Sequence, residues 1–151
     1  MFAVLRTASL ILAFIATTAP LAHVLEMISK LTLDGPLWLA IQQHLYRGWG
    51  AVFGPVEILS LIAALALLAM TRADRALRHF YLVATLCYLG MLASFFIFNR
   101  PVNEALNNWT PQTLPAYWSD YRLHWEIGHL ITAILSVAAF IAQLRAWKKS
   151  T

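Results

Sequence analysis

Four apolar runs, at about residues 2–28, 50–70, 77–98 and 123–147, constrain this chain more than any other feature. Each is about 20 residues long, enough for a helix to cross a hydrocarbon layer of about 30 Å. Inside hydrocarbon the backbone polar groups must find partners within their own segment, so each run is expected to be helical. Short links make neighbours antiparallel. The expected fold is therefore all-α: an integral membrane four-helix antiparallel bundle forming one domain. Composition agrees, with 60% hydrophobic and only 12% charged residues, where soluble domains have about a quarter charged. The net charge of +4 is no argument for nucleic acid in such a chain, because what matters is where the positives sit. Cys87 is the only cysteine and cannot form an internal disulfide. There is no Gly-rich phosphate loop, Cys-based metal motif, internal repeat or low-complexity tract.

The interruptions are informative. Pro20 should kink the first run. Arg6, the stretch after it and the small residues near Ala19 have the form of a signal peptide. The apolar pattern runs on past that point, and cleavage would leave three spans, so a retained first span is expected. Asp34-Gly35-Pro36 is a turn signal with Pro at a first helical position. Leu37, Trp38, Ile41 and Leu45 then recur at helical spacing, which predicts a short amphipathic helix lying at the interface. Pro101, in Asn99-Arg100-Pro101-Val102-Asn103-Glu104, is expected to end the third span. A polar segment with Pro111 and Pro115 leads to Tyr121 and the fourth.

Charge orients the spans. Arg6, Arg72, Arg75, Arg78, Arg145, Lys148 and Lys149 fall on one side, and Lys30, Arg47, Arg100 and Arg122 on the other. The positive-inside rule puts both termini in the cytoplasm, and a bacterial inner membrane is expected for a compact single domain without eukaryotic sorting signals. Trp49, Trp109, Trp118 and Trp125 gather on the outer side as an aromatic belt.

This topology makes the ionisable residues converge. His23, Glu57 and His129 each lie about six or seven residues in from the outer ends of their spans, roughly 9–10 Å deep at about 1.5 Å per residue. Glu126 and His129 share a helix face three residues apart, and His23 and Glu26 repeat the pair in reverse. Intramembrane ionisable residues are functional candidates by default. Imidazole and carboxylate ligate iron, manganese or zinc, and imidazole also suits copper. Di-iron bundles use Glu-x-x-His on two helices and single Glu residues on others. His23, Glu26, Glu57, Glu126 and His129 are thus the expected ligands of one or two metal ions, iron first and copper second. Asn103 and His124 are expected beside them, facing ligand or substrate. His44 and His79 read as solvated surface residues. Other readings stay open. Glu57 or Glu126 could be the general base of a metal-free site. His23 and His129 could be axial haem ligands. The acids could carry protons in a small transporter or partner subunit, or form a structural polar cluster. A small lipophilic molecule entering between helices is the expected substrate.

Several motifs run through nearly the whole chain in order. They are Ala22-His23-Val24-Leu25-Glu26 with Lys30, then Glu57, then Arg100-Pro101-Val102-Asn103, then Trp125-Glu126 with His129. This pattern resembles the anthrone-oxygenase-like family of small four-helix membrane proteins. The resemblance implies oxidation of a small, apolar, often aromatic molecule by dioxygen, in some members without any cofactor. Family members commonly carry Leu where Val102 stands and an Arg near Thr132 and Ala133. Those departures bear on the substrate rather than on the fold.

The charge asymmetry makes one prediction. A reporter fused after Thr151 should be active only if it works in the cytosol. An outward C-terminus would put the converging residues in the inner leaflet.

Overall fold

The computed structural model describes residues 2–149, and these are helical apart from short links. Helix α1 spans Phe2–Leu31 and α2 Gly35–Ala40, which continues as a π-helical turn at Ile41–Leu45. Then come α3 at Trp49–Met70 and α4 at Arg75–Ser94. A second π turn at Phe95–Asn99 leads into α5 at Arg100–Leu106, and α6 covers Trp118–Lys149. Four helices are long and apolar enough to cross a membrane: Phe2–Leu31, Trp49–Met70, Arg75–Leu106 and Trp118–Lys149. They pack as a ring, α1 on α3, α3 on α4, α4 on α6 and α6 on α1. The protein is an all-α membrane bundle, as the four runs require. We call the end that holds the 32–48 and 107–117 links the distal end, opposite the chain termini.

Small residues let the helices approach. Ala64, Ala84, Tyr88, Met91, Ala139 and Ala142 fill the middle. Leu67, Leu77, Tyr81 and Ala146 fill the terminal end. Hydrophobic driving force between helices is absent in lipid, so close packing and interhelical hydrogen bonds hold the bundle. One buried chain of bonds does this at mid-depth. Ser9 Oγ donates to Gln143 Oε1 at 2.6 Å, and Gln143 Nε2 donates to the Tyr88 hydroxyl at 2.9 Å.

One expectation changes and another gains a packing partner. Pro101 does not end the third span. A proline removes an N–H from the helical ladder and clashes with the preceding turn. Here a π turn sits just before it and absorbs the misfit, so Pro101 falls in the first turn of α5 and the rod continues to Leu106. Such single π turns are often found at functional sites. The short helix after Asp34 does form, with the Asp34 side chain accepting from Leu37 N at 2.9 Å. Its Trp38 and Leu39 are fully buried and pack on Val102, Leu106 and Trp125, while Leu37 and Leu45 stay exposed. It is therefore amphipathic, as expected, with its buried face folded as a cap over the distal end of the bundle.

Helix α6 passes closest to the second π turn at Gly128. A Cβ there would lie 2.7 Å from Phe98 Cβ and still closer to Asn99 Oδ1. Gly128→Ala should cost about 1–3 kcal/mol through overpacking. Thermal unfolding in detergent should show a clear drop in midpoint, and an unchanged midpoint would mean the two helices are not so closely packed.

Candidate functional site

The distal half holds a cavity of about 720 Å³, within the usual range of about 300–1,000 Å³ for small-molecule sites. α1 contributes His23, α3 contributes Trp49 and Glu57, and α6 contributes Trp125 and His129. Asn99 and Asn103 line it from the second π turn and α5, and Gln42, Tyr46 and Arg47 from the cap.

Its inner wall is aromatic. The His23 and His129 rings lie 4.1 Å apart between centroids. Trp125 meets His129 at 4.1 Å and His23 at 4.8 Å, both edge-on. Tyr46 and Trp49 close on His23 at 4.6 and 5.2 Å. Trp125 is fixed at both ends, its Nε1 donating to Asn103 Oδ1 at 3.0 Å and its carbonyl accepting from Asn99 Nδ2 at 3.0 Å. Edge-to-face contacts of this kind add to area burial and fix ring orientation.

Behind Trp125 and Tyr46 lies a charged cluster that does not line the cavity. Lys30 Nζ is 3.1 Å from Glu126 Oε1 and 4.0 Å from Glu26 Oε2. Both Lys30 and Glu126 are buried, at 3% and 1% exposure. The contact is an ion pair without the angle of a hydrogen bond. The ammonium also sits 4.7 Å from the Trp125 ring and 5.5 Å from that of Tyr46, distances at which a ring face attracts a cation. Glu26 accepts a short hydrogen bond from the Tyr46 hydroxyl. Burial, with that carboxylate as partner, holds the Tyr46 hydroxyl well above the usual phenol range, so it remains a donor. Arg122 closes the end of α1, Nη1 donating to the carbonyls of Lys30 at 3.0 Å and Leu33 at 2.7 Å.

The five expected ligands therefore separate into two groups. His23, Glu57 and His129 share the cavity wall. Glu26 and Glu126 turn away from it and hold Lys30, so an ammonium stands where a shared metal would. Among the described residues no group of three or more His, Cys, Asp or Glu could hold a metal ion. The donor set does not fit a di-iron or five-ligand centre. Two imidazoles in ring contact also leave no room for a porphyrin between them. Of the flanking residues, Asn103 lines the cavity and orients Trp125. His124 points elsewhere: it is exposed, stacks on Phe98 at 4.7 Å and has Nε2 3.3 Å from the Ile97 carbonyl. His44 and His79 are exposed, as expected.

Glu57 stands apart from the other acids. No hydrogen bond or ion pair to it is found among the described residues. Lys30 and Tyr46 carry roles that the chemistry of ligands did not suggest. Lys30 could have been found from its spacing, four residues after Glu26 and seven after His23 on one face of α1. Tyr46 could not, because the cap that brings it in is a tertiary feature.

A family model described as anthrone oxygenase matches residues 43–142. The chain belongs to the anthrone oxygenase family. In this anthrone oxygenase family member the matched stretch includes Tyr46, Glu57, Asn103, Trp125, Glu126 and His129, while His23, Glu26 and Lys30 precede it. No curated protein and no solved structure gives a significant match.

The buried pair yields a stability prediction. Lys30→Met strands the Glu126 charge and should cost about 3–5 kcal/mol. Combining it with Glu126→Gln should recover most of that loss. Thermal unfolding of both single variants and the double variant measures the coupling, and additive losses would show that the pair does not interact.

Proposed function

We propose that this protein is a membrane oxygenase that oxidises a small lipophilic aromatic ketone with dioxygen, using Glu57 as general base and no metal. The observation that carries this reading is the Glu57 carboxyl, with no hydrogen-bond or ion-pair partner among the described residues, on the wall of the cavity that His23 and His129 also line. The other two acids are engaged elsewhere, Glu126 in the ion pair with Lys30 and Glu26 as acceptor of the Tyr46 hydroxyl.

The chemistry follows from those groups. A flat aromatic ring stacks in a cavity walled by Trp49 and Trp125. Glu57 takes a proton from a methylene group made acidic by conjugation with the substrate's carbonyl. The imidazoles of His23 and His129 face the developing oxyanion and donate to it, as preorganised polar groups in a dry site do. The electron-rich enolate passes electrons to dioxygen, and a C–O bond forms at the former methylene carbon. The proton returns to give a hydroperoxide, which loses water to leave a ketone. One CH2 and one O2 thus become one C=O and one H2O, with no other oxidant required. Membership of the anthrone oxygenase family supports this reaction class. Asn103 serves by holding Trp125 in place.

The test is oxygen uptake with anthrone, as reference compound, by protein in vesicles, corrected for protein-free vesicles. Glu57→Gln should lower the rate by about 10²-fold or more, with thermal stability nearly unchanged because no partner is lost. Full activity in that variant would remove Glu57 from the mechanism. Elemental analysis decides the competing reading. One metal ion per chain, lost in His129→Ala and kept in His79→Ala, would overturn a metal-free site.

A further inference from the structure

The cavity has walls from all four membrane helices, yet the bundle does not close around it. α3 packs on α1 and α4, but it has no substantial packing against the second π turn or α5. Those two elements instead follow α6. The distal half of α3 therefore stands off from the third span, and a slot runs between them.

The residues along the slot are both cavity-lining and outward-facing. Ile58 on α3 is 50% exposed, and Phe95 and Phe96 on the π turn are 40% and 54% exposed. Gly50 and Gly54 line the same cavity, and a Cβ added at either would meet nothing within 4 Å. Helix-interior glycine costs about 1 kcal/mol relative to alanine. No neighbour approaches closely enough to require it here. What both glycines do is keep side chains out of the slot. This face belongs to helices long and apolar enough to cross a membrane, so in a bilayer an opening on it would meet lipid tails.

We propose that this slot is a lateral portal, through which a planar aromatic molecule dissolved in the bilayer passes between Gly54 and Phe96 into the cavity. The proposal rests on the functional reading above for the class of molecule, but not on any chemical step. Its rim of phenylalanine rings and bare backbone suits a flat hydrophobic solute, and the aromatic wall of His23, Trp49 and Trp125 lies directly inside. The charge beside the rim is already matched: the Arg100 guanidinium, 5.5 Å from the Phe96 ring, pairs with Glu104 at 2.8 Å, so a charged solute would gain little there for leaving water.

The experiment uses benzophenone as the probe, loaded into phosphatidylcholine vesicles that contain the full chain and activated by light. Its excited ketone abstracts hydrogen from nearby C–H bonds and couples covalently, methionine being a favoured target. Met91 is buried and lines the cavity, whereas Met70 is 43% exposed on lipid-facing α3 and serves as internal reference. Labelling of Met91, read by mass spectrometry relative to Met70, should fall about tenfold in Gly54→Trp. Val52→Trp adds the same bulk on the exposed face of α3 outside the cavity wall and should leave the ratio unchanged. Equal Met91 labelling in wild type and Gly54→Trp would overturn the portal. So would equal loss in Val52→Trp, no Met91 labelling in wild type, or matching labelling by a water-soluble benzophenone carboxylate. Glu57→Gln should keep the labelling while losing oxygen uptake. Failure of the portal and failure of the oxidation are thus separately visible.

Discussion

The Lys30–Glu126 ion pair is the interaction on which the distal half depends. A lone charge at this depth would be very costly, and two opposite charges in contact offset much of each other's desolvation. The pair joins α1 to α6, and its ammonium also faces the rings of Trp125 and Tyr46. Through Tyr46 and Glu26 the same cluster draws in the cap that follows α2. One buried cation thus sets the spacing of two membrane helices and the position of the segment closing the bundle. It also keeps Glu26 and Glu126 out of the cavity, which leaves Glu57 as the acid exposed there.

The cavity exists because the two sides of the bundle are held differently at this end. On the α1–α6 side, the ion pair, the Arg122 bonds to the end of α1 and the edge-on packing of Trp125 against His23 and His129 make a firm wall. On the α4 side, the π turn before Pro101 swings the rod toward α6. There Ser94 Oγ donates to the Gly128 carbonyl at 3.1 Å, and Asn99 reaches Trp125. Only Gly128, with no side chain, permits that approach. Among the described residues the distal half of α3 has no comparable polar tie, and its divergence leaves space. A defect in helical regularity and a missing side chain therefore shape the site as much as the polar residues do.

This arrangement gives the two carboxylate classes different physical situations. Glu126 is enclosed and charge-compensated, so its contribution is to stability and placement. Glu57 borders a space large enough for a small molecule and has no hydrogen-bond or ion-pair partner among the described residues. In the function proposed above, environment separates a structural acid from a reactive one, a recurrent way to run base chemistry in a desolvated site.

The sequence by itself determined the four helices, their antiparallel order and the depth at which His23, Glu57 and His129 meet. Those properties depend on local hydropathy, length and helical rise, which are one-dimensional. It also determined membership of the family, through short motifs in fixed order. What only the tertiary structure decided is which of the five ionisable residues share a space. A side chain's azimuth around its helix depends on packing. Here Lys30 captures two acids that spacing had grouped with the histidines, and His124 turns outward one turn from His129. The cap over the bundle end and the slot beside α3 belong to the same category. Both arise from contacts between residues far apart in the chain, where the energy of a buried charge and the absence of a side chain outweigh local pattern.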